Sequence, residues 1–96
     1  MKIGVSADEL SLGTQITYVP MHAGDDLSHP DCEDGFVTSV HPAGQDAFCR
    51  YWRKDHSDLR TKANSELTCL DSLVIRITQP EWRINQWLKR IGLVDA

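Results

Sequence analysis

Cysteine is scarce in this chain: three in 96 residues, Cys32, Cys49 and Cys69. An odd, sparse set is a poor disulfide framework, so a reducing compartment is the expected setting. Long apolar runs are missing. Nothing approaches the roughly 18 consecutive apolar residues that a membrane-crossing helix needs. The opening MKIGVSADEL lacks the apolar heart of a secretory leader, and the expected place of action is the cytoplasm, with no membrane partner. No glycine-rich phosphate loop, nucleophile elbow or paired-carboxylate motif occurs, which removes the usual signatures of nucleotide and hydrolase chemistry. Bases are nearly missing from the first half. Residues 1–49 hold Lys2 against eight acids, a net of −7, whereas residues 50–96 hold nine bases and six acids, a net of +3; together they give −4. Such a split makes an acidic and a basic face if the halves stay apart, and cancels if they interleave.

What is present is ordinary globular composition, 41% apolar and 25% charged, at a length that predicts one domain over residues 1–96. Ser6 with Glu9 three residues on reads as a capping box, and Gly13 can end that short turn. Strands follow. TQITYVP (14–20) is β-branched and closed by Pro20, and GFVTSVH (35–41) and AFCRYW (47–52) flank the turn PAGQD as a hairpin. LRTKA (59–63) is a candidate fourth strand, and NSELTC (64–69) suits one tight helical turn. SLVIRI (72–77) is a last strand with Leu73, Ile75 and Ile77 on one face.

The tail changes period. TQPEWRINQWLKRIG (78–92) reads as a helix with Thr78 as N-cap, Pro80 in the first turn and Glu81 completing a capping box. Ile84, Trp87, Leu88 and Ile91 form one apolar stripe. Lys89 and Arg90 suit the negative end of the dipole, and Gly92 is a natural residue to follow the last turn. The expected fold is mainly β: a small five-stranded SH3-like barrel over residues 13–77 with a short N-terminal helical turn. The C-terminal helix, 78–92, packs on it. An α+β roll is the alternative.

One stretch carries a family likeness. YVPMHAGDDLSHPDCEDGFVTSV, followed by a strand ending in RYW and then by TKANSEL, resembles a group of small phage and prophage proteins. Their pattern runs from a strand ending Val-Pro through His-Ala, Gly-Asp and His-Pro-Asp to an acid, Gly and Val-Thr-Ser-Val. The likeness covers about residues 13–75 and leaves the C-terminal helix outside. It implies an SH3-like fold, a phage or prophage origin and a setting in the host cytoplasm. It brings no activity with it.

The polar loop MHAGDDLSHPDCEDG (21–35) is the densest chemistry in the chain. His22, His29 and Cys32 are candidate zinc ligands, with Asp31 or Glu33 as a fourth, but H-x6-H-x2-C matches no standard zinc spacing. The acids lack the order of a calcium loop. An ordered polar loop explains the residues better: Asp25, Asp26, Asp31 and Asp34 are turn formers, Pro30 fixes a turn, and Gly35 supplies special backbone angles. No cofactor is expected, and zinc stays the alternative. A Cys–His nucleophile pair can be drawn on paper, yet Cys49 alternates within a strand as a small buried hydrophobe. An enzyme is not expected.

CRYWRKDHSDLRTK (49–62) joins Arg50, Arg53, Lys54, Arg60 and Lys62 to Tyr51 and Trp52. Bases and aromatics together can grip a nucleic-acid strand. Tyr51, Trp52 and Arg53, with Trp82, are equally the residue types of protein hot spots. Asp25, Asp26, Asp31 and Glu33 could meet a basic groove on a partner. The leading expectation is a non-enzymatic module binding a host or phage protein, of a kind suited to inhibiting host defence or serving host takeover. A nucleic-acid-binding barrel is the rival.

Overall fold

The computed structural model describes residues 2–61 and 63–95. Five strands, β1 (Gln15–Tyr18), β2 (Glu33–Val40), β3 (Asp46–Tyr51), β4 (Glu66–Cys69) and β5 (Leu73–Ile75), form one antiparallel sheet in the order β4-β3-β2-β1-β5. A single 3-10 turn, Leu70–Ser72, joins the two edge strands. In a flat sheet those edges would stand about 19 Å apart, while the four residue steps from Cys69 to Leu73 reach about 14 Å at most. The sheet must therefore coil strongly. It does so without closing into a barrel, because among the described residues β4 and β5 share no ladder. The N-terminal segment lies along the gap instead, with Gly4 and Val5 donating to the carbonyls of Leu73 and Leu70 at 2.9 and 3.1 Å.

Both faces of the sheet are covered, which explains why Gly35, Phe36, Val37 and Thr38 are buried in succession. Ile16, Val37, Ala47, Cys49, Tyr51 and Leu73 pack inside the coil with Leu10 and Leu70. Phe36, Trp52 and Leu59 point outward and are buried by helix α1 (Glu81–Arg90) through Ile84 and Leu88. A third cluster, Val19, Ala23 and Val74, lies under the β1–β2 loop and takes in Leu27 and Cys32.

The expected hairpin, the apolar helix stripe and the N-terminal turn are present. Glu9 accepts hydrogen bonds from the Ser6 amide and hydroxyl at 2.9 and 2.8 Å, fixing the 3-10 turn Ala7–Glu9. Helix α1 ends in a paired-bond cap: Gly92, at φ 79°, donates to Lys89 while Leu93 donates to Leu88.

Four expectations need correction. The fourth strand is Glu66–Cys69, not 59–63; Leu59 makes an isolated bridge to Trp52, and the Thr61 hydroxyl takes the Tyr51 amide at 2.8 Å. The helical turn falls one step later, because the Ser65 hydroxyl is engaged by Thr38 and Arg50 rather than capping a helix. Ile75 and Ile77 are exposed, since β5 pairs with β1 from Leu73 to Ile75 and ends there, and of Leu73, Ile75 and Ile77 only Leu73 enters the inner core. Thr78 is not the N-cap. The buried Gln15 side chain grips the backbone of Thr78 and Gln79 through three bonds of 2.7–3.1 Å, and the helix starts after Pro80.

The cysteines separate by burial. Cys49 is fully buried, and burial pushes its thiol up to about 11; Cys32 is half-buried and also raised by burial, and Cys69 is exposed. Titration of native protein with a thiol-reactive disulfide reagent at neutral pH is expected to label Cys69 first and Cys32 slowly, with Cys49 reacting only on unfolding. Fast labelling of Cys49 would contradict the packing of the inner core.

Candidate interaction surface

The β1–β2 loop is held by local bonds and by core contacts beneath it. Pro20 opens the 3-10 turn Met21–Ala23, and Ala23 drops into the third core cluster. Asp26 accepts from the Ser28 amide and hydroxyl at 2.9 and 2.6 Å, which holds its carboxyl below the usual range. Cys32 points its sulfur at the Asp26 carbonyl, 3.4 Å away. Lys54 reaches across from the β3–β4 connection and donates to the carbonyls of Pro30 and Cys32. His22 Nε2 meets Asp31 Oδ2 at 2.7 Å, and the His29 Nδ1 accepts the Asp31 amide at 3.0 Å. The His22 bond lowers the Asp31 carboxyl. That contact is thus present above the ordinary Asp pKa, about 3.9, and is lost as pH falls through the lower folded value.

The basic segment is largely engaged inside the molecule. Arg50 donates to Ser65 Oγ and to the Thr61 carbonyl at 3.1 and 2.8 Å. Arg60 binds Glu33 at 2.7 Å and forks onto Glu66 at 2.9 and 3.1 Å. Lys54 serves the loop. Arg53 is exposed, and Lys62 lies outside the described residues. Arg50, Lys54 and Arg60 are thus each engaged within the molecule; Arg53, Lys54 and Arg60 still line one shallow depression with Asp55, while Arg50 lines another beside Phe48 and Ser65. The structure also ties three of the candidate acids down: Asp26 to Ser28, Asp31 to His22 and Glu33 to Arg60. Asp25 is exposed.

Two of the expected contact aromatics are core residues. Tyr51 and Trp52 are each 2% exposed. The Tyr51 hydroxyl pairs with Thr68 at 2.7 Å, and burial drives its acidity down, raising the pKa. Trp52 lies between Phe36 and Trp87, with the Arg83 guanidinium 4.4 Å from its ring. Both are corrected from contact residues to packing residues. Alternation holds along β3, where Ala47, Cys49 and Tyr51 face the inner core while Asp46, Phe48 and Arg50 are half-buried; Trp52, one residue past β3 and bridged to Leu59, is buried on the opposite side by the helix.

Trp82 is different. It is 62% exposed on the rim of α1. Beside it runs a shallow cleft lined by Ser57, Asp58, Arg83, Gln86, Trp87 and Arg90. Arg90 stacks on the Trp87 ring at 5.0 Å. The floor is rigid. Arg83 donates to Gln79 Oε1 and to the His56 carbonyl at 2.6 and 2.5 Å, and the His56 Nδ1 meets the Gln79 amide at 2.8 Å. His56 Nε2 in turn meets Asp34 Oδ2 at 3.0 Å, and Asp34 also accepts from the buried Thr17 hydroxyl at 2.6 Å. His56 holds φ at 58°, which a residue other than glycine adopts only when its surroundings fix it. Trp87, Arg83 and Arg90 are absent from the sequence-level candidates. The stripe assigns Trp87 to the core, and the two arginines fall on the helix rather than in the basic segment.

No helix is long and apolar enough to cross a membrane among the described residues. Compared with known proteins, the chain matches no family model, no curated sequence and no solved structure.

Proposed function

We propose that this chain is a non-enzymatic interaction module that binds a host or phage protein through the cleft beside Trp82. The observation that carries the proposal is the exposed Trp82 indole next to Trp87 and its stacked Arg90. A large aromatic left in water stabilises nothing in the free protein, whereas Trp and Arg dominate binding energy where an interface excludes water. Arg83 is already held by two hydrogen bonds and Arg90 stacks on Trp87, so these two arginines need little ordering on binding. An SH3-like assignment of the coiled sheet is supported by the long β1–β2 loop and by the 3-10 turn between β4 and β5. The phage origin and host-cytoplasm setting rest on the sequence likeness over residues 13–75. A role against host defence or in host takeover extends this reading, with the exposed acids of the β1–β2 loop as the second face.

The test is capture from host lysate with wild-type and Trp82→Ala protein side by side, with and without nuclease. A specific protein partner is expected to survive nuclease and to bind Trp82→Ala about 30-fold more weakly, the equivalent of a 2 kcal/mol hot spot. A partner held equally well by both proteins sinks the assignment of the cleft.

The nucleic-acid reading has less support, because Arg50, Lys54 and Arg60 are engaged internally. Oligonucleotides are expected to bind more weakly than the micromolar range at about physiological salt, given the small number of phosphate contacts the surface can offer. Micromolar binding removed by Arg53→Glu together with Lys54→Glu would reverse the choice.

A further inference from the structure

The loop places donor atoms of His22, His29 and Asp31 within 4.8 Å of one another. The two imidazoles stand edge to face with centroids 5.3 Å apart, and Asp31 reaches His22 directly. We propose that His22, His29 and Asp31 form a binding site for a zinc-class divalent cation, with two imidazole nitrogens and one carboxylate oxygen as protein ligands. The inference is independent of the Trp82 cleft. It also differs from the set that the sequence suggests: Cys32 is replaced by Asp31, because the Cys32 sulfur faces the Asp26 carbonyl and packs with the cluster under the loop.

The chemistry selects the cation class. Two nitrogens and one oxygen suit zinc and its late first-row neighbours, whereas calcium and magnesium require mostly oxygen donors. Zinc bonds of about 2.0–2.1 Å put tetrahedral ligand atoms about 3.4 Å apart, so donors now within 4.8 Å need only side-chain adjustment. Three protein ligands leave one position for water. The hydrogen bond between His22 and Asp31 occupies the line that the cation would take and must give way to it. His29 must also release the Asp31 amide from Nδ1. The site is therefore open and reversible rather than a closed structural one.

The loop backbone is held in advance, which is what separates three ligands from three neighbours. Pro30 lies between two of them. Lys54 fixes the carbonyls on either side of Asp31, those of Pro30 and Cys32. Arg76 reaches the Leu27 carbonyl at 3.4 Å. Lys54 and Arg76, both bonded to the loop, and Arg53, which lines the same depression as His29, are cations that oppose a further positive charge. Asp26, close enough to His29 to interact with it, favours the cation in turn.

The test uses tag-free full-length protein stripped of metal and titrated with zinc by calorimetry, followed in parallel by histidine NMR. One equivalent is expected to bind with a dissociation constant in the micromolar range, shifting the His22 and His29 ring signals and leaving His41 and His56 in place. His22→Ala, His29→Ala and Asp31→Asn are each expected to weaken binding at least about tenfold, a loss that even an outer-shell partner of a metal can produce. Cys32→Ser is expected to bind as wild type does. All four positions lie on a surface loop, and circular dichroism checks that the variants fold. The NMR arm needs no variant at all. Binding weaker than millimolar, shifts at His41 or His56 in place of His22 and His29, or a loss with Cys32→Ser but not with Asp31→Asn would each overturn the assignment.

Discussion

Ending the chain after Gln79 is expected to abolish cooperative folding or to lower stability by about 4 kcal/mol or more. Helix α1 buries Ile84 and Leu88 to 2% and 3% exposure and half-buries Trp87 and Ile91. A fully buried aliphatic side chain is worth about 1.5–3 kcal/mol, so these two alone supply roughly 3–6 kcal/mol. Removing the helix also returns Phe36, Trp52 and Leu59 to water, and these are 0%, 2% and 1% exposed. The Arg83 bonds to Gln79 and His56 go as well. Whole domains of this size hold only about 5–15 kcal/mol. Leu88→Ala is a gentler version, expected to cost about 2–5 kcal/mol. Trp82→Ala, on the exposed rim of the same helix, is expected to stay within about 0.5 kcal/mol. Denaturant unfolding of the three proteins checks the ranking. A truncated chain that stays monomeric and unfolds at the wild-type midpoint would mean that α1 is an independent arm.

That contrast between Leu88 and Trp82 was legible in the sequence, because a helix declares its buried stripe by spacing alone. Ile84, Trp87, Leu88 and Ile91 fall on one side, and Trp82 does not. The Ser6–Glu9 turn, the β2–β3 hairpin and the Gly92 cap were legible for the same reason: each depends on residues a few positions apart. What the sequence hid depends on distant partners. NSELTC carries the polar residues of a capped turn, yet Ser65 is recruited by Thr38 and Arg50 and Thr68 by Tyr51, so the segment becomes a strand. Thr78 has the right chemistry for a cap, but Gln15, 63 residues away, takes the backbone amide of Thr78 and moves the start of the helix to Glu81. Tyr51 and Trp52 look like surface aromatics until the fold shows Tyr51 inside the coiled sheet and Trp52, just past β3, under the helix. The candidate site suffers most from this. The sequence groups Arg50, Lys54 and Arg60 in one basic strip, and each is claimed by an internal partner that lies elsewhere in the chain. The His22–His29–Asp31 grouping was half legible: the histidines and the acid stand in one loop, but only the fold shows that the Cys32 sulfur turns inward.

Gly35 gives the second large effect, and its reason differs from the one its Asp-Gly context suggests. Gly35 is not a turn glycine, because its φ lies outside the left-handed region. It sits inside β2 opposite Tyr51, in the register that also pairs Phe36 with Arg50. A Cβ added there would fall 2.1 Å from the Arg50 carbonyl oxygen, 3.0 Å from its carbonyl carbon and 2.9 Å from Tyr51 Cδ1. None of these can move cheaply. The Arg50 carbonyl belongs to the β2–β3 ladder, and the Tyr51 ring is held at its far end by Thr68. Overpacking a filled core costs about 1–3 kcal/mol and sometimes more; with backbone in the way, Gly35→Ala is expected to cost about 3 kcal/mol or more. Gly24→Ala is the matched control. Gly24 has φ 61°, and a Cβ added there would meet no atom within 4 Å. Only backbone strain then opposes the change, about 1–3 kcal/mol for a φ, ψ pair of 61° and −130° that side chains rarely adopt. The measurement is the difference in unfolding free energy between the two variants. If Gly35→Ala costs no more than Gly24→Ala, the close approach of β3 to β2 at this position is not what the glycine is for.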